Sequence, residues 1–479
     1  MIEMASALEI PLVAGLAVLS VLSLNLAVLT IARRLAPPRP APWVRLDPAD
    51  LPRVLVQLPL YNEGELVRRI LGAVAALDWP RERLEIQVLD DSTDGSYRIS
   101  EEAVAELKAQ GFAVELLHRT RRTAFKAGAL AEGLTRSTAP YVAIFDADFI
   151  PPADFLRRTV AVLEGGPRLA FAQARWTHLN AGDNLLTRAQ ARLLDGHFRV
   201  EQEVRWRLGL PVPFNGTCGV WRRAAIADAG GWEGDTLTED LDLSLRARLR
   251  GWRSAYLIDL AVPGSLPVSA PAWRAQQFRW SKGFVQCAMK LVPTLWQSPE
   301  LPFWQKCLVT LQMTQPLAFL IGALCTLLGL PYIAGAVVAG PTLKAVAVWA
   351  SLIGTLGTLG FLALAVTRES AGGAVREIVG ALFLSTGLLI SNARAGLEAL
   401  LGHRSEFVRT PKSAAGARGK RRVYGLIEMT AGLALLGFVL SAQPLSVFYL
   451  TLVIGGLLTL GLMQLLDGRA LPKLARAGR

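Results

Sequence analysis

Glu85-Ile86-Gln87-Val88-Leu89-Asp90-Asp91-Ser92-Thr93-Asp94 is the stretch that decides the fold: a short β-rich run that breaks off at adjacent carboxylates. Upstream, Val54–Leu58 repeats the pattern and ends in Pro59-Leu60-Tyr61-Asn62-Glu63. Downstream come another strand, Ala113–Leu117, and then Tyr141–Phe145, which ends in Asp146-Ala147-Asp148. Helical periodicity fills the gaps, over Glu65–Leu77 and Tyr97–Gln110. Strands alternating with helices predict a parallel sheet covered on both faces. In such sheets ligand groups gather at the carboxyl ends of the strands, where these polar turns fall.

This soluble-looking pattern covers only part of the 479 residues. Hydrophobic residues make up 52% of the chain, and the mean hydropathy is +0.35. The charges gather between Leu51 and Lys282 while both ends are apolar, so the chain reads as a soluble α/β domain held in a membrane. Ile10–Ile31 is long enough to span, and the arginines that follow it (33, 34, 39 and 45) place its carboxyl end in the cytoplasm. A cleaved signal peptide would carry its basic residues before the apolar run. Further spans are expected at Cys307–Leu330, Leu343–Val366, Ile378–Leu400, Tyr424–Ala442 and Leu445–Leu466. The basic loop Arg404–Arg422 and the basic tail both belong in the cytoplasm, so an even number of crossings must separate the loop from the catalytic domain. Either Cys307–Gly340, broken at Pro331, crosses twice, or Ser391–Leu401 lies along the interface.

The expected organisation is a membrane helix over 1–34, an extended and unstructured linker over 35–50, the catalytic domain over 51–285 and an interfacial helix over 286–304. Membrane or interfacial helices follow over 305–402, then a cytosolic loop over 403–422, two spans over 423–467 and a cytosolic tail over 468–479. The net charge of +12 has no aromatic-interleaved basic stripe, so membrane topology explains it and nucleic acid is not an expected partner. Cys218, Cys287, Cys307 and Cys325 lack paired metal spacing and read as reduced structural thiols.

Each polar motif suggests a chemistry beside a plainer role. Asp90 and Asp91 can accept hydrogen bonds from a base and ribose, or cap a helix. Asp146 and Asp148 project to the same side of an extended chain and could hold one divalent cation, Mg2+ or Mn2+, bridging a donor's phosphates. Lys126 opens a helix from a basic loop, within reach of a diphosphate or of solvent. Thr238-Glu239-Asp240 stands at a helix start, where carboxylates act as caps; inverting glycosyl transfer also needs a carboxylate to deprotonate the acceptor hydroxyl, and Asp240 is the candidate. Gln276-Gln277-Phe278-Arg279-Trp280 puts a guanidinium fork for a diphosphate and an indole for a sugar face on one helical turn, or forms an interfacial belt. Phe407, Thr410 and Lys412 lie in the basic loop between two apolar segments, as a topogenic loop or a lid over a bound nucleotide.

In this order the motifs resemble the processive family 2 glycosyltransferases, which include cellulose, hyaluronan and chitin synthases. Val88-Leu89-Asp90-Asp91-Ser92-Thr93-Asp94 and Phe214-Asn215-Gly216-Thr217 are most similar to the plant mannan and glucan synthase-like branch. The resemblance covers about Val54 to Lys412 and implies an α/β GT-A, Rossmann-like domain inserted in a transmembrane bundle. It implies inverting transfer from UDP-glucose or GDP-mannose to a growing polysaccharide, at a plasma or inner membrane with the catalytic domain cytoplasmic. It assigns Tyr61, Glu63, Asp90, Asp91, Lys126, Asp146, Gln276 and Arg279 to the nucleotide sugar, and Asp146 with Asp148 to the metal. Asp240, with Glu239 and Thr238, takes the catalytic role, while Trp280, Asn215 and Gly216 meet the acceptor; Phe407, Thr410 and Lys412 form a gating loop. With little chain after the last span, no cyclic-dinucleotide regulatory domain is expected; accessory subunits are not specified. Two other readings stand beside it: a non-processive transferase that glycosylates a lipid, and a transporter or receptor that binds a nucleotide sugar.

Overall fold

The computed structural model describes residues 2–366, 371–403, 419–442 and 447–467. Its centre is a sheet of seven strands: β1 (Val54–Leu60), β2 (Leu84–Asp90), β3 (Ala113–His118), β4 (Tyr141–Ile144), β5 (Leu169–His178), β6 (Gly219–Arg222) and β7 (Arg253–Gly264). They lie in the order β3-β2-β1-β4-β6-β5-β7. The first four strands are parallel, as the alternation predicts. The sheet is nevertheless mixed, because β6 runs antiparallel to both β4 and β5. Short apolar runs show that a strand exists but carry no information on its direction; β6 enters after a helical excursion that leaves the sheet at the carboxyl end of β5 and returns at that same edge.

Register explains why the polar turns meet. Leu60 pairs with Asp90 and Gln57 with Ile144, so the residues that follow β1, β2 and β4 emerge side by side at one edge. The two faces carry separate apolar cores, one around Val56, Ile86, Val160 and Leu163, the other around Leu55, Leu130, Phe171 and Trp221. Burial of this kind contributes about 25 cal/mol per Å2 of apolar surface and fixes the edge in place.

The linker differs from its expectation. It is extended, but it is tied down: the Arg39 guanidinium lies 4.4 Å from the centroid of the Trp206 ring, Trp206 donates to Arg39 O at 2.8 Å, and Arg207 donates to Ala36 O at 3.1 Å. Proline content predicts extension, whereas docking depends on a distant aromatic surface.

Among the described residues four helices are long and apolar enough to cross a membrane, or up to six if each of two bent pairs is one span. Helix Ile2–Leu35 packs closely on Pro341–Leu364: a Cβ on Gly357 would sit 3.2 Å from Ser23 O, the small-residue contact that lets membrane helices approach. One bent pair is Phe303–Thr314 with Leu317–Ile333, at 65°. Its break falls at Pro316, whose missing N–H interrupts the ladder, and not at Pro331, which stays inside the second helix. The other pair, Ala374–Gly387 with Leu389–Leu400, bends by 47°, so the segment around Ser391 departs from the line of the preceding helix. The motif-bearing helix Ala270–Gln297 continues unbroken past residue 285. The four cysteines are unpaired.

Candidate active site

The loops after β1 and β2 are knitted together. Asn62, in a left-handed conformation at φ 57°, donates its N–H to Ser92 Oγ at 2.8 Å and accepts at Oδ1 from Thr93 N at 2.8 Å. Asp90 turns inward and is fully buried. Ser92 N donates to its Oδ1 at 2.7 Å, and the Ser100 hydroxyl donates to Oδ2. Asp91 turns the opposite way and lines a cavity, where Arg119 grips it through Nε at 2.8 Å and Nη2 at 2.5 Å. The guanidinium of Arg122 lies 3.3 Å from the Tyr61 ring centroid and 3.7 Å from Asp91.

Beyond β4, Asp146 donates its N–H to Thr217 Oγ1 at 2.9 Å, and its carboxylate accepts from Lys126 Nζ at 2.6 Å. Lys126 also donates to Gly216 O at 2.9 Å. Burial alone would lower the Lys126 ammonium, but Asp146, Glu239 and Asp240 more than offset it and raise it above its ordinary value. Asp148 is buried beside Asp146 and lines the same cavity.

Asp240 opens the helix Glu239–Leu249 and accepts from Leu241 N at 2.8 Å. Burial first, and then the neighbouring Glu239, push its carboxyl up to about 7, against the pull of the Leu241 N–H, Lys126 and Arg279. Gly216 is required here: its φ is +79°, and a Cβ would stand 2.9 Å from Asp240 Oδ2. Gln276, Arg279 and Trp280, from the helix Ala270–Gln297, complete the cavity wall.

The cavity thus gathers Tyr61, Glu63, Asp91, Lys126, Asp146, Asp148, Asn215, Gly216, Thr238, Glu239, Asp240, Gln276, Arg279 and Trp280, all singled out from sequence. Asp90 lies behind the wall. Phe407, Thr410 and Lys412 lie outside the described residues. An adjoining cavity shares Asn215, Thr238, Asp240, Gln276 and Trp280 and adds the aromatic surfaces of Phe198, Trp273 and Phe284.

The donor set fits a divalent cation. Glu63, Asp91, Asp146, Asp148, Glu239 and Asp240 face Arg122, Lys126 and Arg279, six hard carboxylates against three cationic side chains. A separate acidic cluster, Glu233, Asp235 and Asp242, does not compete, because Lys290 Nζ already sits within it at 2.6, 2.8 and 2.9 Å.

Several lining or supporting residues escaped the sequence reading. Arg119 and Arg122 belong to the basic loop before Lys126, where charge was the available signal. His178, Trp176 and His197 had none, being single residues in segments without a motif.

Residues 52–283 match the family described as Glycosyltransferase like family 2. Glucomannan 4-beta-mannosyltransferase 2 of Arabidopsis thaliana is 46% identical over 265 residues, 54% of this chain and 50% of that protein. Glucomannan 4-beta-mannosyltransferase 9 of Arabidopsis thaliana is 43% identical over 55% of this chain and 50% of its own length. The chain spans about half the length of the curated relatives it matches. The mannosyltransferase PcManGT from Pyrobaculum calidifontis, solved with GDP-Man and Mn2+, superposes with a TM-score of 0.55 at 22% identity, over 81% of this chain and 99% of that one, a likeness of fold. The sheet is accordingly of the GT-A type, and residues 52–283 are similar in sequence to the mannan synthase-like glycosyltransferases.

Proposed function

We propose, proceeding from the family 2 glycosyltransferase domain that residues 52–283 form, that the chain is an inverting, processive membrane β-glycosyltransferase that elongates a mannan- or glucan-type polysaccharide and passes it across the bilayer. The observation that carries this reading is Asp240, a carboxyl held at about 7 where a charged cavity meets an aromatic one. That value suits a general base at neutral pH. The charged cavity is the donor side and the aromatic one the acceptor side, since apolar rings stack on sugar faces.

GDP-mannose is the favoured donor, because the curated relatives are named as mannosyltransferases and the structural neighbour was solved with GDP-Man; UDP-glucose is the other candidate. Asp146 and Asp148 would hold Mg2+ or Mn2+, which when bound supplies charge compensation for the diphosphate. Arg279 adds a planar fork of donors to the same group. Trp280 stacks on the acceptor sugar and presents its hydroxyl. Asp240 removes that hydroxyl's proton as the oxygen attacks the anomeric carbon from the face opposite the diphosphate. The new C–O bond forms as the sugar–phosphate bond breaks, so an α-linked donor yields a β-linkage. The apolar helices support a membrane location for this chemistry, and the arginines after the first of them favour a catalytic domain on the cytoplasmic side.

The test is incubation of the purified protein with radiolabelled GDP-mannose or UDP-glucose, plus Mg2+ or Mn2+, followed by digestion with β-mannanase or β-glucanase. A large product released by one of these hydrolases is expected. A product of one sugar on lipid would refute processive synthesis, and no transfer from either donor would refute the assignment.

A further inference from the structure

The helix Leu185–Asp195 does not end where the α-helix ends. It continues as a π-helical segment, Gly196–Gln202, and resumes as Glu203–Arg207. Wide turns of this kind inside α-helices recur at functional sites, since the extra residue re-aims side chains. Here the segment aims His197 into the aromatic cavity, beside Asn215 and Asp240.

The backbone around Asn215 is pinned on every side. Phe214 N donates to Ser244 Oγ at 2.8 Å, Asn215 N donates to Gln173 Oε1 at 3.0 Å, and Cys218 N donates to Ile144 O at 2.9 Å. What remains adjustable is the rotation of the Asn215 amide. Its Oδ1 lies 3.1 Å from His197 Nε2, while its Nδ2 is without a hydrogen-bond partner among the described residues. His197 is therefore the side chain that fixes which way the amide faces.

His197 is itself held from behind. Its Nδ1 stands 2.9 Å from Glu201 Oε2, and Gln202 Nε2 lies 3.2 Å from its Nε2. Glu201 Oε1 accepts from Arg205 Nε at 3.1 Å and from Gln312 Nε2 at 2.7 Å, the latter reaching in from the helix Phe303–Thr314. Burial would raise the Glu201 carboxyl, but His197 and Arg205 hold it down at about 2. An ionised carboxylate only accepts, so Nδ1 must carry the hydrogen that faces it. Glu201 thus fixes the ring and makes Nε2 the acceptor; the Asn215 amide, whose two ends fill nearly the same space, pairs with Nε2 through its Nδ2–H, the end otherwise without a partner, and turns Oδ1 to the cavity.

We infer that His197, anchored by Glu201, is a positioning residue that orients the Asn215 amide toward the acceptor sugar. The inference rests on the glycosyltransferase reading and adds the element that sets acceptor geometry. His197 lines the aromatic cavity and not the charged one, while Asn215 borders both, and the inference concerns the acceptor-facing side of that amide.

The experiment is a double-mutant cycle on the full chain in detergent, with β-1,4-mannotetraose as acceptor. His197→Phe and Asn215→Ala should each raise the acceptor KM about tenfold while donor Kd, measured by calorimetry, stays within twofold. In the Asn215→Ala background, His197→Phe should add less than twofold, because its effect runs through the missing amide. Glu201→Gln, which keeps shape and loses charge, should give a partial loss of the same kind, and it serves where His197→Phe fails to fold. Additive effects in the cycle, or an equal change in donor Kd, overturn the inference while leaving the transferase reading intact. A wild-type protein that elongates the acceptor from neither donor overturns both.

Discussion

Replacing Asp240 with asparagine keeps the shape of the side chain, including the oxygen that accepts from Leu241 N at 2.8 Å, and removes the basic lone pair. A positioned general base contributes roughly 100- to 10,000-fold, or about 2.7–5.4 kcal/mol of barrier at about 1.36 kcal/mol per tenfold. Transfer by Asp240→Asn should fall by that factor while donor affinity holds, because Arg279 and the Asp146–Asp148 pair are untouched. Stability should move the other way. A carboxyl ordinarily near 3.8 and raised to about 7 in the folded protein binds its proton more tightly when folded. Its contribution is thus fully present below the ordinary value and lost as pH rises through about 7, a loss on the order of 1–4 kcal/mol. The amide suffers no such loss, so Asp240→Asn should melt above wild type at pH 8 and alongside it at pH 4. The wild-type kcat/KM should climb with pH and level off above about 7. The assays are radiolabelled transfer, donor calorimetry and thermal melting at the two pH values. Normal turnover by the variant, or a lower melting temperature at pH 8, would refute Asp240 as a buried, unfavourably ionised base.

Asp148→Ala should weaken metal and donor binding together, since in the proposed site it removes a metal ligand and not a proton acceptor; calorimetry with Mn2+ present and absent reads this. Gly216→Ala should lower stability by about 1–2 kcal/mol through its left-handed backbone and cut transfer at least about tenfold by crowding Asp240, measured by melting and by radiolabelled turnover. Lys290→Met should strip the cation from Glu233, Asp235 and Asp242, costing about 3 kcal/mol or more by leaving a fully buried Asp242 with Arg246 alone. Thermal melting at pH 8 should show that loss.

Much of this architecture is local and was therefore legible in the sequence. Strands β1 to β4 and the helices between them follow from side-chain period, and the acidic turns follow from where each apolar run stops. The apolar helices, the arginines beyond the first of them and most of the charged cavity lining are likewise written in composition and motif order. Other features required the chain to be folded. Adjacent residues at a strand end point to opposite faces, so Asp90-Asp91 had to divide between core and cavity, but a one-residue change of phase exchanges the two; only packing against Ser100 and Arg119 decided which went where. The antiparallel entry of β6 depends on its pairing with β4 and β5, and the docked linker on Trp206 and Arg207, which lie 167 and 171 residues from the carbonyls they hold. His197 and Glu201 are an ordinary i, i+4 pair until a π turn and the pinned Asn215 loop give them something to orient. The proton affinity of Asp240 belongs to this second class as well, because the sequence supplies the carboxylate and only burial beside Glu239 raises it to where a base can work.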